Sequence, residues 1–113
     1  RVLFRSVKTS ELTGRPLDWA VGKARGLSDE QIFGWDTFKG CKELNPWANN
    51  WALSGKLLDY ENMEVLQKRN PDSVLCRVLY GTWYEGPTIL IAAMRAFVAS
   101  KLGEEVEVPE DLL

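Results

Sequence analysis

Tryptophan residues are the first candidates for binding chemistry, because five of them occur in a chain of 113 residues. Trp47 and Trp51 are four positions apart and would share one face of a helix, with the amide of Asn50 between them. Two rings with an amide beside them could bind a base, a sugar or a peptide side chain. Other rings that could converge on the same cleft are Trp35, Trp83 and Tyr84. The alternative, which we favour, is that most of these rings pack in the core or anchor loops.

A single arginine and three carboxylates are the remaining candidates for a polar site. Arg95 is the only charge among residues 86–100, in the most apolar stretch of the chain. It would either be exposed or paired with a carboxylate, or else hold an anion at the floor of a pocket. Asp36, Asp59 and Glu61 could supply the two carboxyl groups that glycosidases use, although carboxylates on protein surfaces are far more often simply solvated.

The composition excludes several kinds of catalysis. The chain has no histidine, which excludes Ser-His-Asp and Cys-His nucleophiles and every zinc site that uses histidine. Cys41 and Cys76 are too few for a four-cysteine zinc site, and we expect both to be free thiols in the cytoplasm. The glycines form neither a dinucleotide fingerprint nor a P-loop. We therefore expect no cofactor and no metal, and any catalysis would have to use carboxylates, lysine, arginine or tyrosine.

Length and charge bound the organisation of the chain. A length of 113 residues predicts one domain over residues 1–113, and because the chain does not begin with Met we expect part of 1–6 to be foreign to the natural protein. The net charge of −2 makes nucleic acid an unexpected partner, and no uncharged apolar run is long enough to span a membrane. Without a signal-peptide pattern, the expected location is the cytoplasm.

The longest apolar periodic stretch, residues 86–102, predicts a central helix. Gly86 is expected to cap it, and Pro87 suits the first helical position. Gly103 is expected to end it in a left-handed conformation. Large apolar residues recur at spacings of three and four on one face, whereas the opposite face is small enough for another backbone to approach closely. The large residues are Leu90, Ile91, Met94, Phe97, Val98 and Leu102, and the small ones include Ala92, Ala96 and Ala99.

Shorter elements surround this helix, and their mixture without βαβ alternation predicts an α+β fold in which the central helix packs on a small sheet. We expect helices over 16–25, where Trp19 would lie between the apolar face and solvent, and over 27–32 and from 46 onward, with a further turn at 56–60. Residues 34–46 are expected to form an irregular loop. Extended runs at 63–68 and 74–82 predict a hairpin, and Val106 and Val108 predict a further strand before a final helical turn.

The two ends of the chain carry opposite charges and are expected to meet. Residues 1–25 are mainly basic, whereas the segment after the central helix is acidic. Pairing the extended segment near Val7 with residues 106–108 would satisfy both backbones and place Lys8 opposite acidic neighbours. We expect both segments to share one sheet with the 63–68 and 74–82 hairpin. The alternative for the basic end is a phosphate-binding patch.

Three segments resemble the NinX-like proteins of tailed bacteriophages and enterobacterial prophages. They are VKTSELTGRPLDWAVGKARG at 7–26, NNWALSGKLLDYENMEVL at 49–66 and GPTILIAAMRAFVASKLGEEVEVPEDLL at 86–113. The middle segment departs from the family, because Leu53-Ser54-Gly55-Lys56 replaces the usual glycine pair and proline. The resemblance implies a phage or prophage gene product that works in the cytoplasm of the bacterial host, and it carries over no catalytic or binding residue.

The function expected from the sequence is therefore protein binding by a non-enzymatic phage accessory protein. The partner would be a host or phage protein, with self-association as the other expectation. The alternatives are a module that binds a small ligand or nucleotide through the aromatic cleft, and a carboxylate-dependent enzyme. An exposed apolar patch would favour the first function, a deep pocket with a polar floor the second, and two converging carboxyl groups the third.

Overall fold

A computed structural model describes residues 3–27, 33–36, 41–44, 55–58, 61–67 and 73–113, with the backbone alone at 33–36, 41–44, 67 and 111. Helices and strands are mixed, which confirms the α+β prediction. The elements are β1 (Phe4–Lys8), α1 (Gly14–Ala24), β2 (Phe33–Asp36), β3 (Cys41–Leu44), β4 (Glu64–Gln67), β5 (Val74–Arg77), β6 (Tyr84–Gly86), α2 (Ile89–Leu102) and β7 (Glu105–Pro109). Short 3₁₀ helices follow β1 at Thr9–Glu11 and β7 at Glu110–Leu112, and residues 55–58 form one helical turn.

Helix α2 is the predicted central helix, and it packs against α1, β5 and β6. It begins two residues later than Pro87, because the Thr88 hydroxyl caps it by accepting a hydrogen bond from the Ile91 amide at 3.2 Å. The prediction of Gly86 as the cap is therefore wrong. Gly103 ends the helix with the expected positive φ, 93°, but its ψ of −169° lies outside the left-handed helical region. The predicted apolar face is buried at Leu90, Met94, Phe97 and Val98, but Leu102 in the last turn is exposed.

The small face of α2 does admit a backbone, as the sequence predicts. Ala92 and Ala96 are buried, and Gly86 of β6 lies directly against the helix. A Cβ atom added at Gly86 would stand 2.7 Å from the backbone nitrogen of Ala92, which is closer than non-bonded atoms approach. The alanines of α2 and the missing side chain of Gly86 together set the distance between helix and sheet.

A three-stranded antiparallel sheet carries α2, with the strand order β4-β5-β6. The predicted hairpin of β4 and β5 is confirmed by the pairing of Glu64 with Arg77 and of Gln67 with Val74. Val74 and Cys76 face the core, as their alternation predicts. The predicted strand over 74–82 is too long, however, because β5 ends at Arg77. The chain then turns through 78–81, and β6 returns alongside β5.

The two ends of the chain meet, as their charges predict. Strands β1 and β7 are antiparallel, with Val7 opposite Val106 and Lys8 opposite Glu105. Val106 and Val108 are buried, and Arg5 reaches Glu110 at 3.6 Å. The two strands nevertheless form a sheet of their own, so the prediction of one shared sheet is wrong. Strand β5 has β4 on one side and β6 on the other, so neither terminal strand adjoins it.

Helix α1 begins after Thr13 and packs against α2 and β7. Trp19 is only 5% exposed, so the prediction that it borders on solvent is wrong. The ring of Phe4 lies 6.3 Å from that of Trp19, and the Nζ atom of Lys23 lies 5.5 Å from the ring centroid. These neighbours come from β1 and from the next turn of α1, so the helical pattern of α1 alone could not show that Trp19 is covered.

The prediction of an irregular loop over residues 34–46 is wrong where the structure describes this segment. Strands β2 and β3 pair antiparallel, with Phe33 opposite Leu44 and Asp36 opposite Cys41, where an irregular loop was expected. The expected helices over 27–32 and from 46 onward fall mostly outside the described residues. The helical turn at 55–58 overlaps the expected turn at 56–60, and Asn62 has φ 51° where the chain changes to β4.

Among the described residues, no helix combines the length and the hydropathy that crossing a bilayer requires.

Candidate functional site

Arg95 is a sequence-predicted site residue whose side chain is described, and it donates hydrogen bonds to two backbone carbonyls. Its Nε atom donates to the carbonyl oxygen of Leu12 at 2.7 Å, and one terminal nitrogen donates to that of Glu85 at 2.7 Å. Burial lowers the pKa of Arg95, while the charge of Glu85 opposes that change. The guanidinium group therefore joins α2 to residue 12 and to β6, and its binding of an anion stays a prediction.

The aromatic cleft expected around Trp47, Asn50 and Trp51 lies outside the described residues, as does the side chain of Trp35. Whether these residues form a binding site stays a prediction. Of the three carboxylates proposed as an acid/base pair, Glu61 lies 4.0 Å from the Nζ atom of Lys101, whereas the side chains of Asp36 and Asp59 are not described. Within the described ranges, no group of three or more acidic or cysteine side chains is arranged to hold a metal ion.

Cys76 is a buried thiol that packs beneath α2. Its Sγ atom donates to the carbonyl oxygen of Ile89 at 3.7 Å, and it is fully buried. Burial raises the pKa of the Cys76 thiol to about 11. Because the thiolate is the nucleophilic form, Cys76 is unreactive at neutral pH and is part of the core.

A cleft of about 300 Å³ lies beside α2, between the helix and the turn that connects β5 to β6. Its apolar part is formed by Val78 and by two alanines of the small face of α2, Ala96 and Ala99. Its polar part consists of hydroxyl groups and one carboxylate, contributed by Thr82, Tyr84, Ser100 and Glu104. The small residues of the helix thus serve two purposes, since they admit the backbone of Gly86 and leave open space further along the helix.

Glu104 reaches the cleft because the junction between α2 and β7 is fixed by hydrogen bonds. The Thr9 hydroxyl donates to the Gly103 carbonyl at 2.7 Å, and the Thr9 amide donates to the Glu104 carbonyl at 2.8 Å. Thr9 is fully buried, whereas the two acceptor residues are exposed. The first residues after β1 therefore hold the backbone of Glu104 in place at the cleft.

The charge of Glu104 changes the pKa of a second residue that lines the cleft, Tyr84. Burial raises the pKa of Tyr84, and the negative charge of Glu104 raises it further. A carboxylate disfavours ionisation of a nearby phenol, so Tyr84 stays a neutral hydroxyl group. The Ser100 hydroxyl donates to the Phe97 carbonyl at 2.7 Å and so keeps its own acceptor capacity. The cleft thus offers oxygen atoms and one negative charge around an apolar floor.

Exposed apolar side chains cluster on the turn beside this cleft, which we call the 79–83 turn. Leu79 is 45% exposed, Tyr80 88% and Trp83 36%. The guanidinium carbon of Arg77 lies 4.5 Å from the centroid of the Trp83 ring, and Arg77 also pairs with Glu64. Tyr80 has φ 62°, a left-handed conformation that is uncommon for a residue with a large side chain. The turn therefore presents two aromatic rings, one of them held by an arginine.

Sequence reasoning did not find the 79–83 turn, although it considered Trp83 and Tyr84 for a different cleft. It assigned residues 74–82 to one strand, which would have placed Tyr80 on the buried face with Val74 and Cys76. The signal that could have revealed the turn is Gly81, because a glycine inside a strand pattern often marks a break. Glu104 gave no signal, since it is one of several acids near the C-terminus.

The fold and the site together define a small α+β protein with an aromatic turn beside an acidic cleft. The family model described as Bacteriophage P22, NinX matches residues 8–101, which include α1, the three-stranded sheet and nearly all of α2. The chain therefore belongs to the phage NinX family. A comparison with curated proteins gives no match. Membership establishes relatedness to phage proteins and assigns no activity.

Proposed function

We propose that this NinX-family protein is a non-enzymatic accessory protein of a phage or prophage that acts in the bacterial cytoplasm by binding another protein. The observation that supports the proposal is the 79–83 turn, where Leu79, Tyr80 and Trp83 are exposed within five consecutive residues. Isolated exposed apolar residues are normal, but neighbouring ones on a single turn are typical of interaction surfaces.

The residue types of this surface are those that contribute most to binding between proteins. Tryptophan, tyrosine and arginine are enriched among interface residues whose truncation weakens binding strongly. Trp83 is partly covered by Arg77, which limits the conformations that its ring has to lose on binding. The turn also contains a hydrogen bond from the Gly81 amide to the Val78 carbonyl at 2.6 Å. Such a turn is ordered before it meets a partner.

The backbone conformation of Tyr80 supports the same proposal. A left-handed conformation at a bulky residue raises the energy of the folded state, by of order 1–3 kcal/mol for such strained positions. The ring gains little from the fold in return, because it is 88% exposed. Such strain is typical of functional positions, and a partner that binds the ring would account for it.

Affinity capture from phage-infected bacteria tests the proposal. The parent protein and the variants Tyr80→Asn and Trp83→Ala would be used as baits, since asparagine tolerates the left-handed conformation and removes only the ring. The matched control is Leu3→Ala, which removes an exposed apolar side chain of β1's flank, 58% exposed. We expect one specific protein to be captured by the parent and by Leu3→Ala. Loss of a central aromatic residue should weaken its binding by roughly thirtyfold, which corresponds to about 2 kcal/mol.

The proposal would be wrong if the folded Tyr80→Asn and Trp83→Ala variants captured the same proteins in the same amounts as the parent. Capture of a second copy of the chain by this surface would identify self-association instead. The alternative of a small-ligand module that uses Trp47 and Trp51 stays a prediction, because those residues lie outside the described part of the chain.

A further inference from the structure

We propose that the cleft beside the 79–83 turn binds a basic side chain, an arginine or a lysine, of the protein that the turn contacts, with Glu104 as the opposing charge. This inference rests on the proposed protein-binding function and adds the chemistry of the partner. It is carried by the shape of the cleft, by its charge and by its position next to the exposed aromatic residues.

The size and lining of the cleft fit one long side chain. Its volume of about 300 Å³ is at the lower end of ligand pockets, which run from roughly 300 to 1,000 Å³. Val78, Ala96 and Ala99 give it an apolar floor without bulky groups. Arginine and lysine bury their aliphatic stems along such surfaces while the charged end stays near water or a counter-ion. A cleft lined by small apolar residues and one carboxylate is complementary to such a side chain.

The charge of the cleft selects a cation over an anion. Among the described residues, Glu104 is the only charged one that lines it. The nearest arginines along the chain are engaged elsewhere, since Arg77 pairs with Glu64 and Arg95 binds the carbonyls of Leu12 and Glu85. A guanidinium or ammonium group would meet a carboxylate, and the Thr82 and Tyr84 hydroxyls could accept further hydrogen bonds from it. An anionic group would meet like charge and no cation.

The position of the cleft links it to the proposed interface. Val78 and Thr82, which line the cleft, lie directly before Leu79 and Trp83, which are exposed on the turn. A partner whose apolar surface covers Tyr80 and Trp83 would therefore place its neighbouring side chains over the cleft. A buried basic residue beside an apolar contact adds specificity, because only a partner with a cation at that place satisfies Glu104.

The test uses small probes and needs no identified partner. Nα-acetyl-arginine amide and Nα-acetyl-lysine amide would be titrated into the ¹⁵N-labelled protein and followed by amide NMR shifts. Nα-acetyl-citrulline amide is the matched probe, because it has nearly the shape of the arginine compound without its charge. The variant Glu104→Gln removes the opposing charge, and Glu107→Gln removes an equal charge from an exposed position of β7. Ala99→Leu fills the cleft from a partly buried helical position that tolerates leucine.

We expect one or both cationic probes to shift the amides of residues 82–84 and 99–104 in a saturable way, and citrulline to leave them unchanged. Loss of a charged hydrogen-bond partner should weaken binding roughly tenfold in Glu104→Gln, with no change in Glu107→Gln and no binding to Ala99→Leu. The stronger cationic probe identifies arginine or lysine as the preferred side chain.

Three results would overturn the inference: no saturable shifts with either cation, equal shifts with citrulline, or equal affinity in the parent and Glu104→Gln. Each leaves the protein-binding function intact if capture still depends on Tyr80 and Trp83. Conversely, if the cations bind the cleft but capture is insensitive to Tyr80→Asn and Trp83→Ala, the proposed function is wrong and the cleft is a site for a free cation.

Discussion

Replacing Arg95 by methionine should destabilise the fold substantially while leaving the helix intact. Methionine has a similar length and helix propensity, so the main change is the loss of the guanidinium group. That group donates to the carbonyls of Leu12 and Glu85, both at 2.7 Å. Without it, two carbonyl oxygens lose a charged donor and α2 loses its polar link to residue 12 and to β6.

The magnitude follows from the two hydrogen bonds. A hydrogen bond to a charged group contributes about 1.5–3 kcal/mol, so two would give at most roughly 6 kcal/mol. Arg95 is only half-buried, and water can replace part of what is lost. We therefore expect the free energy of unfolding to fall by about 2–4 kcal/mol. Arg95→Lys should recover only part of this, because one ammonium group cannot span both carbonyls as the planar guanidinium does.

Urea unfolding followed by tryptophan fluorescence measures this loss. The matched control is Lys101→Met on the same helix, because Lys101 is 46% exposed and lies at 4.0 Å from Glu61. Exposed ion pairs of this kind contribute about 0–1 kcal/mol, so the control should remain close to the parent. If Arg95→Met were as stable as Lys101→Met, the stabilising role of Arg95 would be refuted. Anion binding, which the sequence also suggests, would then be the remaining role for this residue.

Three further perturbations test the core. Met94→Asp should unfold the protein in a circular-dichroism melt, because Met94 is fully buried and a carboxylate there has no partner. The control Met94→Leu should lower the free energy of unfolding by less than about 1.5 kcal/mol. An unchanged melting temperature for the aspartate variant would refute the core assignment. Gly86→Ala should cost about 1–3 kcal/mol in urea unfolding, because its Cβ would stand 2.7 Å from the Ala92 nitrogen, and an unaltered midpoint would contradict that close approach. Cys76 should make stability fall as the pH rises: its thiol loses a proton near pH 9.0 when unfolded but only near pH 11 when folded, so deprotonation favours the unfolded chain between these values. The stability of the parent relative to Cys76→Ala should then decline by roughly 1.4 kcal/mol per pH unit over that range, and a constant difference would show that the thiol ionises as easily in the folded state.

Much of the fold could be predicted where local pattern and tertiary contact agree. The alanines of α2 predicted a close backbone approach, and Gly86 makes it. The opposite charges of the chain ends predicted that they meet, and Lys8 lies opposite Glu105. In these cases the residues that carry the signal are also the residues in contact, so sequence spacing was sufficient evidence.

The predictions that are wrong depend on contacts between distant segments. Trp19 is buried because Phe4 from β1 covers it, and the pattern of α1 contains no information about β1. The predicted sheet also lacks β6, which is only three residues long and pairs with β5. A strand that short has too little alternation to be recognised.

The candidate site could be predicted less well than the fold. Arg95 is conspicuous in the sequence because it is a charge within an apolar stretch. Its hydrogen-bond acceptors are backbone carbonyls, which no sequence pattern can identify. Glu104 gains its place at the cleft from the hydrogen bonds of Thr9, which is 95 residues before it in the chain. Such a juxtaposition can be read only from the folded chain.

Site-specific photo-crosslinking is the sharpest test of the proposal that the 79–83 turn binds another protein. A photoreactive phenylalanine analogue would replace Tyr80 in the protein expressed in phage-infected bacteria, and the same analogue at Leu3 would be the control, since both positions are exposed. We expect the analogue at position 80 to form an adduct with one specific protein, and the analogue at position 3 to form none. Equal crosslinking from both positions, or no adduct from position 80, would contradict it.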